Sequence, residues 1–155
     1  MDQETQTLYQ QLYSTDPHTR DHATEQLWQL YFGAAGPEAE IRLLQAEQAV
    51  ESGQYETAQV WLDDLINDFP DFAEAWNRRA TMLYLQKKYA PSITDCETVT
   101  RLEPNHFGAW HGLGLNYLAM KKYDLAARAF KRALEIQPFA ETNQKLLAEC
   151  LTKLN

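Results

Sequence analysis

Aligned on itself at an offset of 34, the sequence superposes three consecutive segments without gaps: 39–72, 73–106 and 107–140. Proline recurs at one place in each, Pro70, Pro104 and Pro138, and tyrosine at another, Tyr55, Tyr89 and Tyr123, while Trp76 falls on Trp110. A fixed period of this length means stacked supersecondary units. Within each unit apolar residues recur at three and four positions, the spacing of amphipathic helices. The turns fall at Ser52-Gly53-Gln54, Gln86-Lys87-Lys88 and Met120-Lys121-Lys122. Small Ala and Gly lie where the paired helices touch, and the proline beyond the second helix cannot continue it. One helical pair cannot bury its own apolar face, so the units must stack. The predicted fold is all-α, a right-handed superhelix whose concave side is lined by the first helix of each unit.

The third segment carries Trp110, Leu113, Gly114, Tyr117, Ala126, Phe130, Ala133 and Pro138. That succession is W-x2-L-G-x2-Y, then A-x3-F, then P, and it resembles the tetratricopeptide repeat. The other two segments resemble degenerate copies, with Ala46, Ala58, Leu62, Leu65 and Pro70 in one, and Trp76, Ala80, Leu83, Ser92, Cys96, Val99 and Pro104 in the other. The stretches Ala73 to Thr81 and His106 to Ala109 look similar to bacterial and plastid members of unassigned role. The resemblance implies an α-solenoid.

Both ends read as further helices. Residues 1–38 contain Leu8, Leu12, Trp28 and Tyr31 in the same frame, with Asp16-Pro17 as an N-cap and first-turn signal. They are predicted to form a diverged helical pair that continues the array backwards, leaving by Gly33 to Pro37. Residues 141–155 place Leu146, Leu147, Cys150, Leu151 and Leu154 on one face, as expected of a terminal capping helix.

Catalytic chemistry has no foothold in the sequence. It contains no phosphate loop, no H-E-x-x-H, no C-x-x-C and no G-x-S-x-G. His18 and His22 share a helical turn, but two ligands do not make a metal site. Cys96 superposes on Leu62 and Phe130, a core position, which points to an inert buried thiol. His106 falls in an inter-repeat loop, either solvated or capping the next helix. The expectation is no enzyme, no metal and no cofactor. With 155 residues the chain forms one domain, and a net charge of −8 disfavours nucleic acid. That charge is unevenly spread: residues 1–72 carry 2 basic and 14 acidic side chains, net −12, and residues 73–155 carry 12 and 8, net +4. With two cysteines in no metal or redox spacing, no apolar run after Met1 and no 18-residue apolar stretch, the expectation is a soluble cytoplasmic protein without a membrane span.

By helical phase the concave surface is predicted to present Leu43 and Glu47 from the first repeat, Asn77, Arg78, Thr81 and Tyr84 from the second, and Gly108, His111, Gly112 and Leu115 from the third. Glu40, Leu44, Val50, Glu74 and Leu118 fall in the same row, and Tyr9 and Tyr13 extend it. Aromatic, aliphatic and a few polar side chains together suit a ligand groove. Gly112 costs about 0.8–1.0 kcal/mol relative to Ala inside a helix, which suggests close approach of a partner backbone or helix. Some members of the resembled family clamp the acidic tails of heat-shock chaperones with Lys, Asn and Arg. The matching positions here are Leu43, Glu47, Arg78, Gly108 and Gly112, so the clamp is missing and a basic or apolar segment fits better. Two roles follow: an adaptor or assembly factor binding a peptide or helix of another protein in the groove, or a structural subunit packing into a homo-oligomer through its end helices.

Overall fold

The computed structural model describes residues 1–155 as nine helices without strands. They are α1 (Gln3–Gln11), α2 (Pro17–Gly33), α3 (Pro37–Glu51), α4 (Tyr55–Asp68), α5 (Ala73–Leu85), α6 (Tyr89–Leu102), α7 (Phe107–Ala119), α8 (Tyr123–Ile136) and α9 (Glu141–Leu154). The pairs α3/α4, α5/α6 and α7/α8 stack as an α-solenoid, and each second helix starts on the repeated tyrosine. No helix is long and apolar enough to cross a membrane.

The turn inside each pair has one physical cause. Gly53, Lys87 and Lys121, 34 apart, take left-handed φ angles of 72°, 61° and 58°. The next amide then reaches back to the end of the first helix, Gln54 N to Ala49 O, Lys88 N to Leu83 O and Lys122 N to Tyr117 O, each at 2.8 Å. This closes the first helix by a Schellman motif. Loops between repeats are tied by a second recurring bond: the Trp76 indole donates to Pro70 O at 2.9 Å and the Trp110 indole to Pro104 O at 2.8 Å. Gln144, again 34 residues on, donates to Pro138 O at 2.8 Å.

Helix pairs meet through small residues. A Cβ at Gly114 would overlap the fully buried Phe130 ring, lying 2.6 Å from Cδ1 and Cζ. The core of the first repeat, Leu43, Ala46, Leu62 and Leu65 among others, continues into Ala75 and Met82 of α5. At the far end α9 lays Leu146, Leu147 and Cys150 over Ala126, Ala127 and Phe130. This covers the last repeat, as a terminal helix must.

The N-terminal pair departs from the predicted frame. Both helices form, with Asp2 capping α1 and Asp16 capping α2 through bonds from His18 N and Thr19 N at 3.2 and 3.3 Å. They do not extend the array backwards. Leu12, Ala23, Leu27 and Tyr31 instead share a core with Phe107 and Ile136, at the start of α7 and the end of α8. Tyr31 stacks on His106 at 4.2 Å between centroids and donates to Asn105 O at 3.3 Å. Gln137 Nε2 donates to Thr24 Oγ1 at 3.3 Å, and Arg20 lies 4.3 Å over the Phe139 ring. Long-range contacts with the third repeat thus override local continuation of the repeat.

Candidate functional site

The concave faces of α5 and α7 enclose a cavity of about 350 Å³, and Trp28 of α2 forms one wall. Gly108 in the first turn of α7 makes room for that wall: a Cβ there would lie 2.6 Å from Trp28 Cη2. The sequence suggested close approach of a helix at Gly112; the structure shows one at Gly108 instead, and that helix is the chain's own α2. Gly112 one turn later stays open to the cavity, and a Cβ added there would meet only Cys96 Sγ, at 3.3 Å.

Eight of the predicted concave residues line this cavity: Asn77, Arg78, Thr81 and Tyr84 from α5, and Gly108, His111, Gly112 and Leu115 from α7. Four do not. Leu43 is fully buried in the first repeat's core, in a cluster against which Phe32 of α2 packs. Glu47 is held outside the cavity lining by an ion pair to Arg78 at 2.6 Å. Tyr9 and Tyr13 face the third repeat's edge rather than the groove, because α1 and α2 fold back there. Tyr9 hydrogen bonds the Tyr31 hydroxyl at 2.5 Å, and the Tyr13 hydroxyl donates to Glu135 O. Burial pushes the Tyr9 hydroxyl up to about 12, and burial pushes that of Tyr31 upward more strongly.

Behind the cavity lies a polar cluster that the helical phase misplaces. Glu74 belongs to the predicted concave row but is fully buried. Its Oε1 accepts from Arg78 Nε at 2.9 Å and from Asn77 Nδ2 at 3.1 Å, and its Oε2 faces His106 Nε2 at 2.8 Å. His106 Nδ1 accepts from Ala109 N at 3.1 Å, so Nε2 carries the hydrogen given to Glu74. His106 therefore caps α7, one of the two roles its loop position allowed, but from a fully buried position, not a solvated one. The Arg78 guanidinium also lies 4.6 Å over Phe32. Committed to Glu74, Glu47 and Phe32, it is not a free cation for an anionic ligand.

The floor is polar but neutral. Ser92 Oγ donates to Ala80 O at 2.7 Å and accepts from Asn116 Nδ2 at 2.9 Å, while Asn116 Oδ1 is buried with no partner. His111 Nδ1 donates to Asn143 Oδ1 at 2.6 Å, tying the site to α9. Cys96 lines the same floor, and burial, with Asp95 adjoining, pushes its thiol up to about 12, far from a reactive thiolate. Trp28, Ala80, Leu85, Ser92, Cys96 and Asn116 complete the lining without having been predicted as site residues. For Leu85 and Asn116 the repeat period carried the signal, since both extend the inner stripes of α5 and α7. Nothing in the sequence signalled Trp28, which arrives by a long-range fold-back. His18 and His22 are not brought together with any further ligand, and no group of three or more metal-ligating side chains forms.

The comparisons with known proteins agree with this architecture. Tetratricopeptide-repeat profiles match residues 43–98 and 108–139, together more than half of the chain. A TPR repeat-containing protein of Rhizobium etli is 38% identical over 118 residues, 73% of this chain, and the chain spans 58% of that relative's length. The first TPR domain of Spaghetti (RPAP3), bound to the HSP90 peptide SRMEEVD, has a TM-score of 0.72 at 21% identity, covering 75% of this chain and 92% of that one. The Sgt2 TPR domain from Aspergillus fumigatus has a TM-score of 0.71 at 20% identity, covering 76% and 80%. With the period, the helix pairs, the left-handed turns and these profiles in agreement, the chain belongs to the tetratricopeptide-repeat family.

Proposed function

We propose that the chain is a non-catalytic protein-interaction module, an adaptor or assembly factor that seats an apolar or basic segment of a partner protein in the half-closed groove between α5 and α7. The observation that carries this reading is the cavity of about 350 Å³, rimmed by Tyr84, Leu85 and Leu115 and floored by Gly112. An apolar recess with a few fixed polar groups suits an anchoring side chain of a docked segment. The solved TPR domain of RPAP3 holds an acidic HSP90 peptide. Here the cavity's arginine is paired with two carboxylates, Glu74 and Glu47, which together outweigh its single positive charge. A basic or apolar segment therefore meets a better electrostatic environment than an acidic tail.

The test is affinity capture from extract of the native cell with the wild-type chain and with Tyr84→Ala and Gly112→Leu in parallel. Tyr84→Ala removes part of the rim, and Gly112→Leu fills the recess. Each is expected to weaken capture by about 1–2 kcal/mol, roughly tenfold in affinity. Arg78→Ala is a poor probe because it also strands buried Glu74. Lys121→Ala with Lys122→Ala, at the repeat turn, is the matched control. Undiminished capture by both groove variants together with loss in the turn variant overturns the groove assignment.

A further inference from the structure

We infer that the groove receives a tryptophan side chain of the partner segment, its indole ring in the cavity and its N–H on the acceptors of the floor. This rests on the groove reading above and names the anchor which that reading leaves open. Size limits the occupant. At about 350 Å³ the cavity lies at the small end of ligand pockets, so it holds one large side chain and not a length of chain. Toward the first repeat α2 closes it, with the Arg78 guanidinium lying over both Phe32 and Trp28, at 4.6 and 5.8 Å. The walls suit a flat apolar ring: Trp28, Tyr84, Leu85 and Leu115 supply them, and Gly112 leaves room below. Trp28 makes edge contacts with Tyr31, His106 and Phe107, at 5.6, 5.5 and 5.2 Å between ring centroids. That holds the wall in place before anything docks, which lowers the cost of binding.

On the floor the hydrogens are committed and the acceptors are not. Asn116, 1% exposed, gives its Nδ2 hydrogens to Ser92 Oγ and Gly112 O, both at 2.9 Å, while its Oδ1 is buried without a partner. Ser92 gives its hydroxyl hydrogen to Ala80 O, and Thr81 gives its own to Asn77 O at 3.1 Å. His111 donates through Nδ1 to Asn143, so in the neutral ring Nε2 is an acceptor. Asn77 Nδ2 is turned to Glu74, and Arg78 to Glu74 and Glu47. A buried acceptor without a partner calls for a donor. Among large side chains only tryptophan is a flat apolar ring that carries a donor and no acceptor. Phenylalanine leaves Asn116 Oδ1 unpaired, and tyrosine brings lone pairs that the floor has no hydrogen to meet. Lysine or arginine would carry a full charge onto a neutral floor beside Arg78, uncompensated. Basic residues suit the flanks of the segment instead, since Glu47 lies outside the cavity lining.

The experiment is an NMR titration of the isotope-labelled full chain with a matched set of blocked peptides. One is Ala-Lys-Ala-Trp-Ala-Lys-Ala, and its counterparts carry phenylalanine, tyrosine, lysine or ring-N-methylated tryptophan at the centre. The shared lysines leave the central side chain as the sole difference. The tryptophan peptide is expected to shift the Gly112 amide and the Asn116 side-chain amide. It is expected to bind about three- to tenfold more tightly than the phenylalanine and ring-methylated peptides, the range of one net hydrogen bond. Gly112→Leu, checked for native helicity, is expected to abolish these shifts. Because the methyl group sits on the peptide, the central comparison does not depend on the folding of any variant. Any counterpart that binds as tightly as the tryptophan peptide, or the absence of a shift at Gly112, overturns the inference. Such a result combined with lost capture in Gly112→Leu leaves the groove reading standing without its anchor, whereas undiminished capture by the groove variants with loss in the turn variant refutes the groove itself.

Discussion

Glu74→Gln isolates the buried cluster behind the groove, because it preserves shape and removes only charge and acceptor capacity. The native carboxylate accepts three hydrogen bonds, from Arg78 at 2.9 Å, Asn77 at 3.1 Å and His106 at 2.8 Å, at a site with no solvent exposure. An amide supplies one acceptor and one donor. Whichever way it turns, its NH₂ faces either the His106 Nε2 hydrogen or the hydrogens of Asn77 and Arg78. Breaking a buried ionic pair by removing one partner costs about 3–5 kcal/mol. Arg78 retains Glu47 at 2.6 Å and some bonds survive, so the lower end, about 3 kcal/mol, is expected here. At roughly 2–4 °C per kcal/mol for a chain of this size, the thermal midpoint falls by about 6–12 °C. Glu135→Gln is the control: its pair with Arg132, at 3.0 Å, is 67% exposed at the glutamate, and an exposed pair contributes less than about 1 kcal/mol. Thermal and urea unfolding followed by circular dichroism measure both. Equal small shifts in the two variants refute the reasoning.

Gly114→Ala is expected to destabilise by about 1–3 kcal/mol through overlap with Phe130, despite alanine's better helix propensity; the loss shrinks in a Phe130→Leu background, a coupling that a double-mutant cycle of urea midpoints reads directly. Lys121→Gly relieves the left-handed φ of 58° and is expected to raise the thermal midpoint slightly, by about 0.5–1 kcal/mol of stability, which differential scanning calorimetry resolves. Cys96 and Cys150 are both buried with their thiols shifted upward by burial, so a thiol reagent at neutral pH is expected to modify neither until denaturant unfolds the chain, when two thiols per molecule react. Burial raises the Tyr9 and Tyr31 hydroxyls above their ordinary value of 10.0, so the folded state holds these protons more tightly than the unfolded state. Their contribution is intact below pH 10 and is lost as pH rises toward and past about 12, with α1 and α2 releasing first; Tyr31→Phe/Tyr9→Phe is expected to flatten that alkaline loss when amide protection of α2 is followed by hydrogen exchange.

What the sequence determines on its own is whatever repeats or acts locally. The proline and tyrosine positions mark the bounds of α4, α6 and α8, the turns fall at the expected triplets, and helical phase brings Asn77, Arg78, Thr81, Tyr84, Gly108, His111, Gly112 and Leu115 to one cavity. These follow from short-range sterics and from a periodicity written three times. Amphipathic spacing says that a helix has a buried face, but it does not say what covers that face. Leu8, Leu12, Trp28 and Tyr31 satisfy a repeat frame equally well whether α2 stacks on α3 or folds onto Phe107 and Ile136. Only the tertiary structure decides between them, and the choice places Trp28 in the groove, leaves Leu43 buried and Ile41 exposed, and sets Tyr31 against His106. The same holds for Glu74: helical phase places its backbone on the concave side, but the arrival of His106 from a loop 32 residues away encloses it. Burial at such positions is a property of contacts made across the chain, which no local pattern encodes.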